Sequence, residues 1–115
     1  MNKRILICAI TVLLSFSATA QSTVTTSFGT PDCGEWTKGT RPGSKIWLSG
    51  YLSGLNWMFN TINGNQIPAY DPLSELTSMD QAFVWMDNWC KTNPLDRVDT
   101  GATYLFAQLV SKRKR

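Results

Sequence analysis

"KIWLSGYLSGLNWMFNTI", residues 45–62, decides the fold. At about 100° per residue, Leu48, Tyr51, Leu52, Leu55, Met58, Phe59 and Ile62 fall within an arc of about 120°, the pattern of a helix with one face on a core. Ser44 is placed to cap its start. Ser49, Ser53, Asn56 and Asn60 form a polar stripe on the other side. Gly50 and Gly54 lie between the two, one turn apart, flanked by Trp47 and Trp57. Each glycine costs a helix interior about 1 kcal/mol relative to alanine. The pair therefore reads as a flat strip that another backbone approaches, either the turn around Cys33 or the same helix of a second copy. The spacing is that of membrane helix pairs, but the serine and asparagine flanks make this segment too polar to span a bilayer.

Working outward, "NGNQIP" breaks the helix at Asn63-Gly64, and Asp71-Pro72 opens a short helical turn. A second helix is expected from Ser78, whose spacing to Gln81 is that of a capping box, to about Thr92. Met79, Ala82, Phe83, Met86, Trp89 and Cys90 share one face, while Asp80, Asp87, Asn88 and Lys91 lie opposite. Asn93-Pro94-Leu95-Asp96 stops that helix and restarts the next, with Asn93 as cap and Pro94 at the first position. The third helix should run to about Ser111, burying Leu95, Val98, Ala102, Leu105, Phe106 and Leu109 and turning Tyr104 outward. Upstream, Thr30-Pro31-Asp32 reads as a cap and proline opening a short turn that carries Cys33 and Trp36. The expected fold is all-α: a small bundle of three main amphipathic helices plus short helical turns, in one domain over residues 31–111.

Residues 1–20 have the layout of an export signal: Lys3 and Arg4, the apolar run from Ile5 to Leu14, and Ala18-Thr19-Ala20 as a cleavage site after Ala20. The apolar run is well short of the about 20 residues a membrane span needs. The mature chain would start with a loosely held arm, residues 21–30. Cleavage removes Cys8 and leaves Cys33 and Cys90, for which an oxidising compartment predicts one disulfide. Closing a loop of about 57 residues converts to about 4 kcal/mol in the chain-entropy model. The rival, a pair of free thiols in a redox or metal site, lacks the close cysteine spacing and any histidine.

The mature chain holds nine Lys and Arg against eight Asp and Glu, a net charge of +1. Four of the nine are the terminal Lys112 to Arg115, so the body without that tail carries five against eight, or −3. The basicity is a local tail, solvated or touching an anionic surface, and nothing in the composition points to nucleic acid. The absence of histidine removes the commonest general base and metal ligand, and no phosphate loop, nucleophile elbow or zinc spacing occurs. Asp80 and Asp87, about 10.5 Å apart along a helix, are too widely spaced for a glycosidase pair. A non-enzymatic protein without cofactor or metal is expected. Of the five tryptophans, Trp36, Trp47, Trp57, Trp85 and Trp89, Trp89 reads as core. Trp85 lies at the edge of its helix's apolar arc and Trp57 outside its own, positions that suit a partner surface.

The order of an exported chain, a cysteine-bearing turn, a helix with "SGYLSG" and then "WCKTNPLD" leading into a last helix resembles the HdeA-like small periplasmic helical proteins. It is also similar to the Tai-type immunity proteins of type VI secretion. The first resemblance implies a periplasmic dimer that opens at low pH and exposes apolar faces to unfolding client proteins, with the cysteines at Cys33 and Cys90 keeping the opened chain compact. Protonation of carboxylates paired in the native state would supply the trigger. The second implies a dimer that caps a cell-wall-degrading toxin. In both, the partner is another protein, and Trp47, Gly50, Gly54, Trp57, Trp85 and Tyr104 are the candidate contact residues, for a partner or for helix packing. A third class, a glycan-binding module, would use Trp57, Trp85 and neighbouring Asn and Asp.

Overall fold

The computed structural model describes residues 25–65 and 69–113. The expected export signal and the last two tail residues lie outside these. Four α-helices follow in order, α1 (Cys33–Lys38), α2 (Ser44–Asn63), α3 (Met79–Thr92) and α4 (Val98–Lys112), with a 3-10 turn at Pro72–Glu75 between α2 and α3. The architecture is the expected helical bundle with a disulfide, and no strand occurs among the described residues. None of the described helices is long and apolar enough to cross a membrane.

The helix ends show which local signals won. α1 is capped by Asp32, not Thr30: its carboxylate accepts from the Glu35 amide, and Glu35 reaches back to the Asp32 amide. Gly39 and Gly43 bound the α1–α2 loop with φ of 65° and 81°, backbone that only glycine adopts at no steric cost. Gly43 thereby takes the cap position of α2 expected for Ser44, which is the first helical residue and bonds the Arg41 carbonyl instead. At α3 the serine half of the capping box is missing: Ser78 makes no side-chain cap bond, and Gln81 accepts from the Thr77 amide at 2.8 Å.

The largest departure is the start of α4. Asn93 to Asp96 forms a turn, and Arg97 is extended and bridged antiparallel to Asp32, so the helix begins at Val98. The reason lies far away in sequence. The Cys33 amide donates to the Asp96 carbonyl at 2.9 Å and the Val98 amide to the Pro31 carbonyl at 3.0 Å. These bonds require extended backbone where the proline rule alone predicts a helical turn. Leu95, expected in the core, is left 97% exposed.

Around this junction the Cys33–Cys90 disulfide joins α1 to α3, its Cα atoms 5.0 Å apart and both residues buried. Trp36, on the next turn of α1, packs on Phe83 and donates its indole N–H to Asp87 at 2.7 Å, so Asp87 is engaged and not merely a solvated helix-face charge. α4 is the central element, packed against α2, α3 and the 3-10 turn. The core is a continuous set containing Leu48 and Leu52 of α2, Ala82 and Met86 of α3, and Val98, Ala102, Leu105, Phe106 and Leu109 of α4. Tyr70 ties the 3-10 region to the end of α4 by donating to the Leu109 carbonyl at 2.6 Å. Burial, and then the Glu75 carboxylate beside it, pushes its phenol pKa above the usual 10.0.

Replacing Cys33 and Cys90 by serine is expected to remove about 4 kcal/mol and to lower the melting temperature, read by circular dichroism, by well over ten degrees for a domain of this size. A melting temperature within experimental error of the parent would contradict a stabilising role for this bridge.

Candidate functional site

α2 buries one face and opens another. Leu48 and Leu52 are buried, while Tyr51, Leu55 and Phe59 are half-buried against the core. Met58 and Ile62, both expected inside, are 52% and 73% exposed. Met58 stands at the edge of the apolar arc and Ile62 on the last turn. On the adjoining flank Ile46, Trp57, Gly50, Gly54, Trp47 and Met58 follow one another around the helix within about 120° when projected at 100° per residue. Ile46 and Trp57 are 79% and 68% exposed. The helix is thus apolar on two sides, and Lys45 is the one charged residue in its twenty.

The open side forms a groove of about 580 Å³, bounded by Phe28, Trp47, Tyr51, Leu55 and Met58 with Gly50 and Gly54 as its bed. A Cβ at either glycine would meet nothing within 4 Å. The Cys33 turn therefore does not fill the strip: the disulfide holds it against α3, on another side of the bundle. The groove's rim is ordered from the N-terminal arm. Trp47 stacks on Tyr51 with ring centroids 4.9 Å apart and donates its indole N–H to the Phe28 carbonyl. Ser27 in turn donates to Asp99 of α4 at 2.7 Å, and Arg97 pairs with Asp99 at 3.3 Å. Residues 27–30 are consequently strapped across from α4 to α2, leaving the Phe28 ring 88% exposed.

The glycine that does permit a close approach is Gly101, which periodicity passes over. A Cβ there would lie 2.6 Å from the Trp89 ring and 2.9 Å from Met86 Sδ. Trp89, expected in the core, packs against it and is half-buried over that glycine, its indole N–H lacking a hydrogen-bond partner. It is the middle of a stack: Trp85 lies parallel on one side at 5.5 Å and Tyr104 on the other at 4.9 Å. Trp85 and Tyr104, both expected at the surface, are thereby brought together, whereas Trp57 stands apart on α2. The signal for this stack is the pairing of antiparallel α3 and α4, which no single segment displays. Among the described residues no three His, Cys, Asp or Glu side chains converge to hold a metal ion.

Fold and site define a small, disulfide-bridged, all-α protein with an uncharged open helix face. The chain matches no protein-family model, no curated protein and no solved structure.

The two glycine environments predict opposite responses in thermal melts. Gly101→Val should destabilise by about 1 to 3 kcal/mol through overpacking against Trp89. Gly50→Ala and Gly54→Ala should each stabilise the isolated chain by up to about 1 kcal/mol, because the methyl group meets open space and alanine favours helix. Loss of stability at Gly50 or Gly54 would mean that the strip is occupied.

Proposed function

We propose that this is a non-enzymatic, exported protein-binding protein of the HdeA-like type, acting in the periplasm on unfolding client proteins through the open face of α2. The observation that carries the reading is the exposed, charge-free apolar surface running from Ile46 through Gly50 and Gly54 to Met58. Exposed apolar patches of this kind mark contact sites for other macromolecules. The glycine bed sets no tight steric demand, and methionine adapts to varied shapes. A dedicated partner is usually selected by complementary charge, which this face lacks; a surface that tolerates many apolar segments suits clients better. The disulfide and the export signal read from residues 1–20 support an oxidising location.

A Tai-type immunity role is the alternative, and it draws on the same face already being open in the folded chain. It requires one toxin, bound tightly and in fixed register.

Light scattering by an aggregation-prone client at about pH 3, below the usual carboxylate range, provides the test. The protein should suppress the scattering, and the exposed substitutions Trp57→Glu and Gly54→Arg should abolish suppression while leaving the helical circular dichroism unchanged. No suppression by the parent protein would overturn the client reading. Stoichiometric inhibition of an exported cell-wall hydrolase, in the absence of client protection, would establish the immunity alternative.

A further inference from the structure

A second groove, of about 540 Å³, shares no lining residue with the α2 face and lies between α3, α4 and the 3-10 turn. Its volume is within the range of small-ligand clefts, about 300 to 1,000 Å³. Leu76, Leu105 and Leu109 give it an apolar floor, and Trp85 forms part of its wall. Trp89 covers one face of Trp85, nearly parallel at 10°, so the surface Trp85 offers to the groove is its other face and its edge. The Trp85 indole N–H donates to Gln108 at 3.2 Å, and Tyr104 backs Trp89. The half-buried ring is therefore held in place before any ligand arrives, which reduces the ordering cost of binding. Around it stand Asp80 and Asn88 on α3 and Lys112 on α4, whose side chains make no hydrogen bond or ion pair within the described residues.

We propose that this groove is a carbohydrate site, taking a pyranose oligosaccharide with one sugar ring stacked on Trp85. The C–H face of a pyranose is apolar with outward positive hydrogens and complements the negative face of an indole. Its ring hydroxyls both donate and accept, and suit the carboxylate of Asp80, the amide of Asn88 and the ammonium of Lys112. A wholly apolar ligand would desolvate these three groups without pairing them. An extended peptide has no edge to join, because both long walls are helices whose backbone groups are bonded internally. The site is independent of the α2 face, and neither Trp57 nor the glycine strip contributes to it.

Nitrogen–proton correlation spectra of the oxidised full-length mature protein test the proposal, with chitotetraose and cellotetraose as probes. Saturable shifts of the Trp85 indole signal and of amides in residues 80–88 and 105–112 are expected with at least one tetrasaccharide, and the pair separates acetamide recognition from ring stacking alone. Trp85→Ala should abolish the shifts. The exposed double variant Asp80→Ala/Asn88→Ala, which leaves the core intact, should weaken binding by about tenfold or more, whereas Trp57→Glu should leave it unchanged. The proposal is overturned if neither sugar produces saturable shifts, if the shifts persist in the Asp80→Ala/Asn88→Ala protein at parent affinity, or if only an amphipathic helical peptide moves these signals.

Discussion

The bond between Cys33 and Cys90 is the constraint on which the other elements depend. It fixes α1, only six residues long and too short to persist alone, against the middle of the bundle. Next to it the chain on either side of Asp32 pairs with the chain on either side of Arg97. One covalent link and two backbone hydrogen bonds thus gather the start of α1, the end of α3 and the start of α4 at a single junction. Trp36 extends the junction inward through Asp87 and Phe83. A domain of fewer than a hundred residues buries a limited share of its surface, so restricting the unfolded chain weighs heavily in its net stability.

The junction also explains why α2 is free to present a surface. α1, α3 and the beginning of α4 are tied to one another, whereas α2 enters the core by the Leu48 and Leu52 side alone, packing on α4 and the 3-10 turn. The flank next to that side keeps aromatic, aliphatic and glycine positions in water. The strap at residues 27–30 shapes this side by holding Trp47 against Tyr51, and it does so from the α4 terminus that the junction positions. Stability and exposure are therefore divided between elements, an arrangement that allows a contact surface to be apolar without the fold relying on its concealment.

The helices and the disulfide were legible in the sequence because each rests on a local or countable signal: one-sided periodicity in residues 45–62, 78–92 and 95–109, and two cysteines left once residues 1–20 are read as an export signal. Apart from the helix caps, which local backbone decides, the misread features depend on distant partners. Asn93-Pro94-Leu95-Asp96 fits every local rule for a helix start, and only the pairing of Asp96 to Val98 with Pro31 to Cys33 holds it as a turn followed by extended Arg97. Gly50 and Gly54 look like a close-approach strip because they are regularly spaced, yet the backbone contact of tight packing falls at Gly101, where Trp89 arrives from another helix. Trp85 and Tyr104 were identifiable as surface aromatics, but their stack through Trp89 requires the antiparallel register of α3 and α4.

Amide hydrogen exchange on the oxidised protein and on the same protein held in thiol reductant tests the dependence of the fold on this junction most directly. Reduction should abolish protection in α1 and in the first turns of α4 around Val98 and Ala102, and should lower it at Leu48 and Leu52 of α2. Protection that is the same in both states along α1 and α4 would contradict the account.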